Sequence, residues 1–438
     1  MKARISILAV SVFAAFAVRA AVDLGELFAD EKAWTVSAEL FAAEHATDGF
    51  RFASEARDIV NCLNHETCMW YGLKVWEAKV YFAKAASGGV RRVELSLYNR
   101  GDAGGETIDV AALKERIAAV EKVLASDGKA AKPDKTTLRN GSVRYRRLFD
   151  AGERKAELVW GLSPLDADNR REVDYLRLTL AAKDAFAATD GGTKRAAGAT
   201  GKTRLKDNVV RGANGDVYVD KVPMVDQGQK GYCAAAVSER VLRYYGNTVD
   251  EHEIAQQAGT TAEGGTSVSA MKEVVRTVGE KQGLGYQLIV TMTAEGGIRE
   301  EIARYNKVAK FEQASEIAID DFIHDFTIDV PAIREAMEPK VVYRMRRKDS
   351  RMKKFLAGVR QQVNAGIPVF WGVTLGLWQE PGMSQQTSGG HMRLIIGYND
   401  KTKEILYTDT WGEGHELKRM PEDWAFTITH DAFFLKPR

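Results

Sequence analysis

From Ala188 to about Asn214 the sequence loses every sign of a packed element. Gly191-Gly192-Thr193-Lys194-Arg195-Ala196-Ala197-Gly198-Ala199-Thr200-Gly201-Lys202-Thr203 is small, polar and basic, with no apolar spacing for a helix or strand to bury. Such a stretch reads as an exposed linker, and it divides the 438-residue chain into two folding units. The layout expected is residues 1–20 as a leader, 21–187 as a mixed α+β domain of unknown role, 188–214 as the flexible linker, and 215–438 as a second α+β domain. Gly201-Lys202-Thr203 does not make a phosphate loop, which needs a glycine where Ala196 stands and a strand ahead of it.

The leader is legible from charge and hydropathy. Lys2 and Arg4 precede an uncharged, mostly apolar run from Ile5 to Val18, and Val18 and Ala20 sit at the −3 and −1 positions of a cleavage site. That pattern predicts a secretory signal peptide and a periplasmic or secreted protein, with an uncleaved anchor as the alternative. No later segment approaches the ~18 apolar residues of a spanning helix, so no integral membrane segment is expected after the leader is removed. The 62 basic and 60 acidic residues leave a formal charge of +2, which points to neither nucleic acid nor an anionic membrane as a partner.

Export places three cysteines in an oxidising compartment. Cys62 and Cys68 are close in sequence and are the expected disulfide pair, which leaves Cys233 odd and open to a reactive role. A competing reading makes Cys62, His65 and Cys68 metal ligands. Their spacing fits no common zinc pattern and a fourth ligand is not evident, so neither metal nor cofactor is expected.

In the first unit, Val75–Phe82, Val90–Leu97, Val143–Leu148, Lys155–Leu162 and Val173–Leu180 read as strands, and Ile108–Ser126 has helical apolar spacing. No catalytic constellation stands there; a propeptide and an accessory domain would both look like this. In the second unit a helix is predicted over Ala234–Tyr245, a charged helical stretch over 298–355, and strands over Ile367–Leu375, His391–Gly397 and Glu404–Thr408.

Chemistry concentrates at three places in the second unit. In Asp226-Gln227-Gly228-Gln229-Lys230-Gly231-Tyr232-Cys233-Ala234-Ala235-Ala236 a thiol sits at the first turn of a helix, where the positive end of the dipole favours thiolate. Gln227 is the candidate oxyanion donor beside the Cys233 N–H, with Gln229 as its competitor. In Ser388-Gly389-Gly390-His391-Met392-Arg393-Leu394-Ile395-Ile396-Gly397 a histidine opens an apolar strand, and Tyr407-Thr408-Asp409-Thr410-Trp411-Gly412 ends the next one. Adjacent strands would set His391 beside Asp409, which could then hold one ring nitrogen and aim the other at Cys233.

These segments resemble a known group. Gln227-Gly228 followed by Cys233 resembles the glutamine–glycine–cysteine arrangement of papain-like cysteine peptidases, and Asp409-Thr410-Trp411-Gly412 resembles their Asn-Ser-Trp-Gly segment. The bacterial branch similar to bacteriocin-leader (double-glycine) peptidases is nearer, with its aspartate as third residue, Cys233-Ala234-Ala235-Ala236 and Tyr244-Tyr245-Gly246. The resemblance spans roughly residues 220–275 and 355–435. It implies a papain-like domain in which the cysteine helix packs on an antiparallel sheet, and a peptidase that cleaves peptide or protein substrates through Cys233, His391 and Asp409. Tyr232 and Ala234 depart from the papain cysteine signature. His391 and Asp409 also follow the cysteine at more than the usual ~130–150 residues, an excess that an insertion at 298–355 would explain. An amidase or acyl transferase using the same triad, and an inactive papain-like binding module, are the readings from other classes. His252-Glu253 is no zinc-protease motif, because Gln256 stands where the second histidine belongs.

Overall fold

The computed structural model of the protein describes residues 21–63, 66–83, 88–101, 106–125, 132–151, 154–183, 205–228, 231–247, 251–258, 268–292, 297–324, 327–381 and 388–438. The expected leader and most of the expected linker lie outside these. The described chain is mixed α+β, with antiparallel pairing in both of its large sheets.

Two hydrophobic cores form. The first runs from Leu24 to Leu178 in sequence and the second from Leu205 to Leu435. The first core lies on a sheet whose strands run, edge to edge, Phe50–Phe52, Ile59–Cys62, Glu77–Phe82, Val90–Asn99, Val173–Ala182, Arg154–Leu162, Val143–Ala151 and Asp134–Thr137. Helix Val110–Leu124 covers it, started by Asp109, whose carboxylate accepts from the Ala112 N–H at 2.7 Å, and anchored by buried Leu113 and Val120. Phe50–Phe52, Ile59–Cys62 and Asp134–Thr137 are strands that the sequence pattern does not announce. The first two are short, and the last is an edge strand exposed at all four residues.

The second sheet orders its strands Val209–Arg211, Asp216–Val219, Gly389–Asn399, Val369–Leu375, Thr429–Pro437 and Leu284–Thr291, with Glu404–Thr408 pairing Gly389–Asn399 and then Lys418–Pro421. Val369–Leu375 is buried at every residue, which explains why its sequence is apolar but for Thr374. Phe370 stacks on Phe433 with centroids 4.8 Å apart, and the Trp371 indole N–H donates to Thr429 Oγ1 at 2.8 Å. Each such side chain contributes about 1.5–3 kcal/mol of burial. The helix Cys233–Tyr244 packs against the Gly389–Asn399 strand, and Tyr245 Oη pins its end to Leu435 O at 2.7 Å.

Two expectations are corrected. Residues 205–214, taken as linker, belong to the second unit: Leu205 is buried in its core, and Val209–Arg211 pairs with Asp216–Val219. A hydrophobic residue and a strand this short leave little trace beside a run of small polar residues. The stretch 298–355 is helical as predicted, through Gly297–Glu312, Val330–Ala336, Pro339–Arg346 and Arg351–Asn364. Ile302, Tyr305, Ile333, Val341 and Phe355 of these helices are all buried in the same core. The expected Cys62–Cys68 bridge is not made. The two stand as buried, unbridged thiols with sulfurs 3.3 Å apart, in hydrogen-bond contact rather than at the ~2.05 Å of a bond. The Cys62 hydrogen bond and burial push the Cys68 thiol far up. His65 lies outside the described residues.

In the folded protein Cys62 and Cys68 are expected to resist iodoacetamide at neutral pH, and three thiols should titrate once urea unfolds the chain. Rapid native-state labelling of either would contradict this burial; a single thiol after denaturation would show that the pair closes to a disulfide.

Candidate active site

The sheet brings the two strand ends together. His391 pairs across to Val373, and Leu394 pairs with Thr408, so Asp409 leaves its strand beside the start of the histidine strand. His391 Nε2 then lies 2.6 Å from Asp409 Oδ1. That contact commits Nε2 and leaves Nδ1 as the ring nitrogen for Cys233, which is in side-chain hydrogen-bond contact with His391. Cys233 is the first residue of its helix, so first-turn amides and the positive end of the dipole converge on its sulfur. Three of the residues singled out in the sequence therefore meet.

The electrostatics follow from burial and from these partners. Burial alone raises the Cys233 thiol, but the hydrogen bond to His391, the imidazolium charge and the Met392 backbone N–H together bring it below its ordinary value. Burial alone lowers His391, yet the Asp409 charge and hydrogen bond, aided by Cys233, push it up to about 9. Asp409 has no exposed surface, and burial works against its charge; His391, Arg393 and the Thr410 N–H outweigh that and hold its carboxyl well below the usual range. Each shift favours the charged form, thiolate on Cys233 and imidazolium on His391.

Asp409 is fixed from every side. Oδ1 also accepts from the Thr410 N–H at 2.8 Å, and Arg393 Nε lies 2.7 Å from Oδ2, an ion-pair approach rather than an aligned hydrogen bond. Arg393 reaches on to Glu380, whose other oxygen accepts from Lys418 Nζ at 2.7 Å. Its guanidinium lies 4.9 Å from the Tyr407 ring and 5.3 Å from the Trp411 ring. Arg240 of the cysteine helix donates to Asp409 O, to Thr408 Oγ1 at 2.7 Å and to Pro223 O at 2.7 Å, tying the helix to the aspartate strand end. Trp411 stacks on His391 at 4.7 Å and 22°, covering the ring beside its bond to Asp409.

Gln227 sits next to this group. Its backbone N–H donates to Thr410 O at 2.9 Å, and its Oε1 accepts from Thr410 Oγ1 at 2.5 Å. Thr410 thus holds both the backbone and the carbonyl end of the Gln227 side chain. Gln229 lies outside the described residues. Sequence reasoning missed Arg393, Arg240 and Glu380. An arginine inside the apolar run Met392–Ile396 was the available signal, because a charge in a buried strand demands a counter-charge.

Among the described residues one group could suit a metal: Glu77, Glu251 and His252 offer ligand atoms within 4.8 Å of one another. Lys79 Nζ is 2.8 Å from Glu251 and 3.0 Å from Glu77, so an ammonium already supplies the cation there.

The Peptidase C39 family model matches residues 221–283, which hold Cys233, and the Peptidase_C39 like family model matches 301–429, which hold His391 and Asp409. The second match also spans most of the stretch read from sequence as an insertion. Among solved structures, xylellain, a cysteine protease from Xylella fastidiosa, is similar at 13% identity over 55% of this chain and 90% of its own, with a TM-score of 0.25. No curated protein matches. The family matches support a cysteine-type peptidase of the papain-like, C39 kind.

Alkylation of Cys233 is expected to begin at pH values below the ~8.5 of an ordinary thiol. A step that needs both thiolate and imidazolium should then fade as pH rises through about 9, where His391 loses its proton. A single limb at the ordinary thiol value would contradict the pairing. Arg393→Met, which strips a buried counter-charge from Asp409 and Glu380, should cost about 3–5 kcal/mol in urea unfolding, and a loss below ~1 kcal/mol would contradict the clamp.

Proposed function

We propose, with the C39-type peptidase resemblance of the second domain as premise, that the protein is an exported enzyme hydrolysing peptide bonds through a thioester intermediate. The observation that carries this reading is the linked set Cys233, His391 and Asp409, with the last buried and clamped. Export rests on the charge and hydropathy of the first twenty residues.

The reaction is acyl transfer in two halves. The Cys233 thiolate adds to the substrate carbonyl carbon, and the C=O electron pair moves onto oxygen. The Cys233 N–H and the Gln227 amide NH2 receive that oxyanion. The tetrahedral intermediate collapses, the C–N bond breaks, and His391 Nδ1–H protonates the leaving amine. Neutral His391 then takes a proton from water as it attacks the thioester, and the thiolate departs as the imidazolium is restored. Asp409 holds one tautomer and one ring orientation throughout. No step requires a metal or an organic cofactor. The substrate class is peptide or protein.

Cys233→Ala should abolish hydrolysis while leaving the melting temperature nearly unchanged, since it removes one small group at the cleft; hydrolysis at the wild-type rate would exclude the mechanism. Asp409→Asn should retain more turnover than Asp409→Ala, because an amide oxygen still accepts from His391 whereas alanine frees the ring to rotate. Equal turnover per titrated site in both variants, with only stability changed, would remove Asp409 from the reaction. Product analysis with added amine acceptors separates hydrolysis from transfer.

A further inference from the structure

The first domain does not stand apart from the active site; two strands of its sheet reach the segments that carry the catalytic groups. Asn99, the last residue of strand Val90–Asn99, accepts through Oδ1 from the Tyr232 hydroxyl at 2.7 Å, and both residues are buried. Tyr232 is the N-cap of the cysteine helix, immediately before Cys233, and its side chain makes no capping bond to that helix. The Asn99 oxygen is itself aimed by the Gly101 N–H at 2.7 Å. Gly101 must be glycine for this to work, because a Cβ there would stand 2.2 Å from the Tyr232 ring.

The second strand is Ile59–Cys62. From it Asn61 Nδ2 donates to Asp226 Oδ2 at 3.1 Å, again between buried residues. Asp226 Oδ1 accepts from the Gly228 N–H at 3.0 Å, so the same carboxylate shapes the turn that carries Gln227. Gly412, three residues past Asp409, completes the junction: at φ +83° it admits Asp226 so closely that a Cβ would lie 2.6 Å from Oδ2. On the far side the Glu55 N–H donates to Glu416 Oε1 at 2.9 Å, tying the first domain to the loop that follows Trp411.

We infer that the first domain is a fixed part of the catalytic apparatus, in which Asn99 positions the Cys233 helix start through Tyr232 and Asn61 positions the Gln227 turn through Asp226. It is not a segment that must leave before the enzyme works. This deepens the peptidase reading and rests on it. The rest of the interface fits a permanent union. Gln256 donates to Asp174 Oδ2 at 2.8 Å, Arg144 pairs with Glu253 at 2.6 Å, and Asn140 donates to Gln256 O at 3.2 Å. Buried polar partners of this kind are costly to expose singly, so the two domains stabilise each other where they touch.

The two struts act on different groups, which gives the test two readouts. In the full-length protein, Asn99→Ala and Tyr232→Phe should each lower kcat by about tenfold at unchanged KM, the scale of a small misplacement of a reacting group. The double variant should be no worse than either single one. Both should also slow Cys233 alkylation near pH 7 and move its pH profile up, because the helix start shifts away from His391. Asn61→Ala should lower kcat without moving the alkylation profile, since it acts on the oxyanion side. Arg144→Ala, which breaks the pair with Glu253 at the same interface but touches neither strut, serves as control and should leave both readouts alone. Wild-type kcat and wild-type alkylation in the Asn99 and Tyr232 variants, whatever their melting temperatures, would overturn the inference. The alkylation arm needs no substrate: if the wild-type chain cleaves no peptide, the peptidase reading fails while the Asn99–Tyr232 strut is still decided.

Discussion

A carboxylate with no exposed surface lies at the centre of the second domain, and its charge survives burial only because of what surrounds it. Asp409 meets His391 on one oxygen and Arg393 on the other, with the Thr410 N–H beside the first. Removing a carboxylate from water costs several kcal/mol, so each partner is demanded by the one before it. Arg393 in turn requires Glu380, and Glu380 takes up Lys418. The chain of counter-charges runs from the solvent rim to the cleft and leaves the His391 ring one permitted orientation. Arg240 extends the same constraint to the cysteine helix by holding Asp409 O, Thr408 and Pro223 together. The Cys233 thiol stands at the end of this chain, and the His391 that the aspartate holds draws its pKa below the ordinary value.

The sequence carried this site better than it carried the frame around it. Cys233, His391 and Asp409 were legible because each stands at an element boundary with a local signature: a glycine-rich turn before an alanine-rich helix, two glycines before an apolar strand, and Asp-Thr-Trp-Gly after one. Arg393 and Arg240 were not, because their meaning depends on partners remote in sequence, and a lone charge in an apolar run resembles an edge residue until the strand is seen to be central. In the first domain the long strands were readable from β-branched and aromatic runs, whereas Phe50–Phe52 and Ile59–Cys62 are too short to show a period.

The domain boundary shows the same limit. Leu205 and Val209–Arg211 belong with the second core, yet a composition break marks where small polar residues begin and end, not where packing resumes. The interface between the domains was hidden for a related reason. Asn61, Asn99 and Asp226 are ordinary polar residues in sequence, and only the sheet's placement against the cysteine helix gives them partners. Gly101 and Gly412 record that placement from both sides, as positions where a side chain would occupy space already taken by Tyr232 and Asp226.

The central claim is that Cys233 is the activated nucleophile of an aligned triad. It is tested most directly by reacting the folded protein with an epoxide inhibitor of thiol peptidases and mapping the adduct by mass spectrometry. The account predicts one equivalent on Cys233, lost when His391 is replaced by alanine. An unlabelled Cys233 in protein whose denatured thiols all react with iodoacetamide would contradict it, as would labelling that persists at full rate without His391.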